Sequence, residues 1–274
     1  MLRVLAVTKN RSVHFPQLVM AGKLPQLVFG CDAEQAFERD PEWPDRPAAL
    51  IEINPTFLAA LPCLSPNNAL PVEMALHVAV GVFRALAALH RAGFVHRLVT
   101  PYSFTVPFPL TVDAIQRNVT IFDFSHVLPF PIKPRAHVPF VGTFRYSSVR
   151  AHYGREQGPS DDVISLIYMV AEFVSGRLPW RSVRDEPTIV SLKKDFHRTD
   201  CFRRLPREFR NLYREMNLMP GPAMIEHASI LSKMQFSLAR RESPLKKTLP
   251  HFVNTEVLSK ELLENRRKRK AAKN

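Results

Sequence analysis

The stretch Val163–Phe173 constrains this chain more than any other. Val163, Ile164, Leu166, Ile167, Met169, Val170, Ala171 and Phe173 would place apolar side chains on nearly every side of a helix. A helix with no polar face has to be surrounded by other elements, which predicts a helical domain with this segment at its centre. Asp161 and Asp162 stand at its start, where carboxylates meet the positive end of the helix dipole. Gly176 follows it and suits a left-handed stop. Ser165 and Glu172 interrupt the run, and no apolar stretch in the chain is read as long enough to cross a bilayer.

A second helix is predicted from Pro71 to His90. Val72, Ala75, Leu76, Ala79, Phe83, Leu86 and Leu89 recur every three or four residues and form one apolar face. Pro71 fits the first turn, where its missing N–H costs nothing, and Gly93 fits the stop. Weaker helical patterns run over Ile189–Phe196, Arg207–Met216 and Ala223–Phe236, and an amphipathic one over Thr255–Arg267. Before residue 54 the pattern is of short strands. One pair is expected around a turn at Gly22, reaching Leu27–Phe29, and another strand at Ala48–Ile53. Residues 37–47 are charged and proline-bearing and read as a solvated loop. Val119–Phe122 reads as a short strand, the segment between it and Phe104 as a loop, and residues 126–140, with four prolines, as an extended surface loop.

The chain has 274 residues, enough to bury a sizeable core, and a formal net charge of +13. That excess favours acidic partners, although part of it sits in the run Arg266–Lys270. Such a run fits a solvated tail, a nuclear-entry signal or a nucleic-acid patch. Cys31, Cys63 and Cys201 lack metal-ligand spacing and read as reduced thiols of an intracellular protein. The expected location is cytoplasmic, with nuclear entry as the alternative, and no membrane association.

The helix ending at His90 runs into Leu89-His-Arg-Ala-Gly-Phe-Val-His-Arg-Leu-Val-Thr-Pro-Tyr-Ser-Phe104. This resembles the protein-kinase catalytic loop H-R-D-L-x-x-x-N, followed by Asp123-Phe124-Ser125 where the metal-binding D-F-G stands. Gly142-Thr-Phe-Arg-Tyr-Ser-Ser-Val-Arg-Ala-His152 resembles the G-T-x-R-Y-A-S-x-x-A-H segment of the casein kinase one group. Ser160-Asp161-Asp162, Gly176-x-Leu178-Pro179-Trp180 and Leu205-Pro206-x-Glu208-Phe209 extend the match, whose details are most similar to the tau-tubulin kinase branch. It covers roughly residues 5–240. The fold implied is mainly α (α+β) and protein kinase-like: residues 1–53 as a remnant of the N-lobe sheet and hinge, 54–240 as the helical C-lobe, and 241–274 as a basic extension.

The resemblance also implies what the residues do. His96, Arg97, Phe124 and Asp162 match fold-keeping positions, with Asp162 receiving backbone N–H groups of the catalytic loop. Asp123 matches the metal- and nucleotide-binding carboxylate, and Arg145 an anion contact for phosphorylated or acidic substrate. Arg150, Arg155 and Lys193-Lys194 could enlarge a basic patch around it.

The departures matter as much. Leu98 stands at the catalytic base and cannot accept a proton. Thr100 replaces the lysine that steadies the transferring phosphoryl group, and Ser103 the asparagine that holds a metal ion. Ser125 replaces the glycine of D-F-G. His14-Phe15-Pro16 resembles the segment just after the first kinase helix, which leaves thirteen residues upstream. No G-x-G-x-x-G and no V-A-I-K-like stretch occurs. Either the sequence begins inside a longer protein, or this is a lobe without its partner.

The expected function is that of a pseudokinase. It is a protein-binding or scaffold lobe for acidic or phosphorylated peptides, with no competent catalytic residue and no cofactor. One alternative is a divergent serine/threonine kinase using Mg·ATP through Asp123. Another is a nucleic-acid binder acting through the basic tail.

Overall fold

The computed structural model describes residues 12–23, 47–65 and 68–241, and the two apolar helices form its centre. Helix α1 (Val72–Arg91) packs against α2 (Val112–Arg117), α4 (Pro159–Ser175) and α8 (His227–Ala239). Every residue of α4 from Pro159 to Val174 is buried, as a helix without a polar face requires. Gly93 and Gly176 end the two helices with φ of 87° and 80°, left-handed conformations that a side chain resists. Gly81 fixes the approach of α1 to α2. A methyl added there would stand 1.9 Å from the Ile115 carbonyl oxygen.

Around this pair the remaining helices complete a lobe. Helix α3 (Val149–His152) is a single turn, and α5 (Glu186–Lys194) leads through a 3-10 turn at Phe196–Arg198 into α6 (Asp200–Arg204) and α7 (Arg207–Leu218). An aromatic cluster joins them to α4. Tyr168 meets Trp180 and Phe196 edge to face at 5.1 Å each, and Phe196 meets Phe202 and Tyr213 at 5.2 Å each. Such pairings add about 0.5–1.5 kcal/mol each beyond simple burial.

The strands are short. β1 (Gln17–Lys23) pairs antiparallel with β2 (Pro47–Glu52), with an irregularity between Leu18 and Met20. β3 (Thr56–Phe57), β5 (Phe104–Val106) and β6 (Thr120–Ile121) form a second sheet, and β4 (Phe94–Val95) pairs with β7 (Leu128–Pro129). Residues 12–16 are tied to β6, because the Ile121 N–H donates to the His14 carbonyl at 2.9 Å.

Four expectations need correction. The chain does not turn at Gly22. It runs straight through as β1 and pairs with β2, since a glycine inside a strand is permitted where the partner's backbone supplies the register. The supposed loop before Val119 carries α2, whose N-cap Thr111 accepts from the Ala114 N–H. Helix α8 begins at His227 rather than Ala223, because the Ala223 N–H closes a turn onto the Pro220 carbonyl at 3.1 Å and residues 223–226 take no regular structure. Finally, α1 is long and apolar enough to cross a membrane by length and composition, although in this fold most of it is covered by its neighbours. Leu27–Phe29, Cys31, Thr255–Arg267 and the basic run lie outside the described residues.

Candidate functional site

The site is built on the loop between β4 and β5, held from below by the first turn of α4. Asp162, 1% exposed, accepts the backbone N–H of His96 through Oδ2 and that of Arg97 through Oδ1, both at 2.8 Å. Arg97 takes φ of 66°, which aims these consecutive N–H groups at one carboxylate. His90, at the end of α1, donates from Nε2 to Asp162 Oδ2 at 2.9 Å. Its Nδ1 faces His227 Nε2 of α8 at 3.0 Å. Burial would raise the Asp162 carboxyl, but the His90 hydrogen bond and the nearby His90 and His96 rings reverse this and hold it below the usual range. Burial, with His90 and Arg91 adding to it, pushes His227 down to about 4, so at neutral pH it is uncharged.

His96 stacks on Phe104 with centroids 5.5 Å apart, and its Nδ1 accepts the Leu98 N–H at 3.2 Å. Desolvation keeps it neutral, so its proton sits on Nε2, a buried nitrogen with no hydrogen-bond partner.

Leu98, Thr100 and Ser103 close the loop on itself. Ser103 is fully buried. Its hydroxyl donates to the Leu98 carbonyl at 2.6 Å and lies 2.9 Å from the Thr100 hydroxyl. Thr100 in turn accepts the Tyr102 N–H at 3.3 Å. The Ser103 carbonyl accepts Phe122 N–H at 2.8 Å, which joins the loop to the Asp123 turn. There Asp123 Oδ1 accepts the Ser125 N–H at 2.9 Å, while Phe124 is buried. Arg97 completes the frame by donating from Nε to the His126 carbonyl at 2.8 Å.

Kinase chemistry needs magnesium nucleotide, and two positions here match those that would hold its metal. Of the two positions that would hold metal, Ser103 offers a hydroxyl already spent on Leu98 and Thr100, and Asp123 has one oxygen committed to its own turn. Among the described residues no group of three or more His, Cys, Asp or Glu is arranged to hold a metal ion.

Arg145 enters a different network. Its guanidinium lies 5.8 Å from the Tyr146 ring centroid. The Tyr146 hydroxyl donates to Glu172, which also receives Arg181 Nη1 at 3.0 Å, and Trp180 Nε1 donates to the Arg145 carbonyl at 2.8 Å. Below it, Lys193 is 0% exposed and so forms no part of a surface patch. It donates to the Ser147 carbonyl at 2.5 Å and to His152 Nε2 at 3.0 Å, and His152 Nδ1 donates to Glu186 at 2.7 Å. Burial pushes the Lys193 amine down to about 7.

The structure therefore gathers His96, Arg97, Leu98, Thr100, Ser103 and Asp162 into one hydrogen-bonded unit and joins Asp123 to it through the backbone. Arg145 stands apart. The sequence reading passes over His90 and His227 and places Lys193 in a surface patch, whereas it is buried. The His90 to His96 spacing, six residues spanning the stop at Gly93, was a usable signal for the first. Nothing local marks His227, which is brought in by the packing of α8 on α1.

No protein-family model matches the chain. It is 29% identical over 178 residues to a probable serine/threonine-protein kinase of Dictyostelium discoideum, covering 61% of this chain and 35% of the relative. It is 36% identical over 137 residues to a candidate casein kinase I of Caenorhabditis elegans, covering 47% and 39%. With the serine/threonine-protein kinase spe-6 of the same nematode it shares 28% over 160 residues, covering 54% and 41%. The chain thus matches well under half the length of these curated relatives. By sequence it is related to serine/threonine protein kinases, casein kinase I among them, and its fold is kinase-like with a helical C-lobe.

Proposed function

We propose that this chain is a pseudokinase of the casein kinase one group, nearest its tau-tubulin branch, which binds protein partners and transfers no phosphate. The observation that carries the reading is the hydrogen bond from Ser103 to the Leu98 carbonyl. The base position holds a hydrocarbon side chain, and the metal position is turned to holding the loop shut. Phosphoryl transfer depends on positioning and electrostatic stabilisation by the base, the metal ions and the lysine, and the residues at all three places lack that chemistry. What remains, the Asp162 clamp and the aromatic cluster, supports a rigid surface. A protein with a net charge of +13 presents that surface to acidic or phosphorylated peptides. A cytoplasmic location goes with this reading.

The test is phosphotransfer from radiolabelled Mg·ATP to casein by purified protein, beside thermal unfolding with and without millimolar Mg·ATP. The expected result is background incorporation and no shift, since a ligand that does not bind cannot stabilise by mass action. Incorporation abolished by Asp123→Ala overturns the reading in favour of a divergent kinase.

A further inference from the structure

We infer that the pocket between α3, the first turns of α4 and the end of α7 is a binding site for a phosphoserine side chain within an acidic peptide. The pocket is about 440 Å³ and is lined by Ser148, Val149, Arg150, Tyr153, Arg155, Asp161, Ile164 and Asn217. It lies apart from the loop of Leu98, Thr100 and Ser103, and Arg145 does not line it.

Its charge points to an anion. Two arginines reach it, Arg150 in an ion pair with Asp161 and Arg155 outside it, and Lys194 stands 5.2 Å from the centroid of the Tyr153 ring on its rim. The one lining carboxylate, Asp161, is already saturated. It receives Arg150 Nη1 at 2.9 Å, the Ser148 hydroxyl at 2.6 Å and the Gly158 N–H at 2.8 Å, and is 1% exposed. Glu156, next to Arg155 in sequence, is turned onto Arg135 by a two-pronged ion pair at 2.9 and 3.1 Å. The Arg155 side chain is thereby left exposed with no hydrogen-bond or ion-pair partner among the described residues.

Arg150 is fixed in place. Its Nη2 donates to the Met219 carbonyl at 2.6 Å, and Gly221 lets that loop lie against the arginine, where an added methyl would approach its Cδ to 3.0 Å. Arg150 Nη1 is also shared with the Ser160 hydroxyl at 3.2 Å, so the free cation is Arg155, whose planar set of N–H donors suits a phosphate.

The size and lining favour a side chain over free phosphate. Val149 and Ile164 give the pocket an apolar part, and Tyr153, 51% exposed, offers a ring for the flanking peptide. This rests on reading the lobe as a peptide-binding platform, but not on whether the catalytic loop is inert.

The test uses the full chain and a fluorescein-labelled decapeptide of glutamates around one phosphoserine, with its unphosphorylated twin and a single-stranded oligonucleotide as comparisons, all by fluorescence anisotropy. The phosphopeptide should bind about tenfold or more tighter than its twin. Arg155→Glu should remove that difference while leaving the melting temperature unchanged, because the residue is exposed. Tyr153→Ala should weaken the phosphopeptide several-fold. Arg150 is not a useful variant, since it holds Asp161 and the loop at Met219. If the phosphopeptide binds and Arg155→Glu makes no difference, the pocket is refuted while the platform reading stands. If the oligonucleotide binds as tightly as the phosphopeptide, the site is a general cationic surface and the inference fails. If neither peptide binds, pocket and peptide reading fail together, and the phosphotransfer assay still reports on the loop independently.

Discussion

The Ser103 hydroxyl lies 2.6 Å from the Leu98 carbonyl oxygen, so two positions that serve metal and base in kinases are bonded to each other here. Ser103 is buried and Leu98 half-buried, which makes the bond structural. Ser103→Ala should cost about 1–3 kcal/mol, because it leaves the Leu98 carbonyl and the Thr100 hydroxyl short of a partner. Urea denaturation of the two proteins measures this. A loss below about 0.5 kcal/mol would mean that the bond does not hold the loop.

Asp162 joins α1, α4 and the loop through a single carboxylate. Asp162→Ala strands two backbone N–H groups and His90 Nε2 together, so a loss of about 3–5 kcal/mol is expected. Hydrogen exchange gives the sharper readout. The amides of His96 and Arg97 should lose protection in the variant by more than amides of the Tyr168–Trp180 cluster do.

Lys193 gives stability a pH dependence of known sign. Its amine sits at about 7 in the folded chain, chiefly through burial, and near 10.5 when unfolded. Between those values the unfolded chain holds a proton that the folded chain does not, so this residue's contribution to stability rises with pH through the window. Below about 7 both states are protonated and the buried ammonium is most costly. The slope is at most about 1.4 kcal/mol per pH unit. Lys193→Met removes it, so the stability difference between wild type and variant should shift in favour of wild type from pH 7 to pH 10. A difference that stays flat would refute the assignment.

Gly81 is a steric requirement. In Gly81→Ala the new methyl meets the Ile115 carbonyl oxygen at 1.9 Å and a Val119 methyl at 2.7 Å. Backbone cannot give way as a side chain can, so α1 and α2 must separate. A destabilisation of about 2–3 kcal/mol is expected in thermal or urea unfolding. A neutral result would show that α2 is loosely held.

The long elements were legible because their signal is repetitive. Seven apolar residues at helical spacing define α1, and eight around all faces define α4, with glycines that end each. The short ones were not. Six residues of α2 and five of α6 are fewer than two turns, too few for a period to emerge, and their caps, Thr111 and Thr199, look like any loop threonine. In the candidate site the identities of Leu98, Thr100 and Ser103 could be read directly, since substitution at a known position is visible in one dimension. That Ser103 turns onto Leu98 could not, because side-chain direction is set by the fold. Lys193 shows the same limit from the other side. A lysine pair in sequence suggests surface, and only the aromatic walls of Tyr168 and Trp180, at 5.4 and 5.6 Å, reveal that one of the two is inside.

Helix α1 also sets a problem of timing. Two of the helices that cover it, at 159–175 and 227–239, are encoded downstream. Synthesis proceeds at roughly 5–20 residues per second, so α1 leaves the ribosome several seconds before the first of these exists. For that interval the nascent chain exposes a twenty-residue helix that meets the length and composition of a membrane span. A helix at the centre of the finished lobe is therefore a liability during translation, and any chain cut short before residue 159 carries that liability permanently.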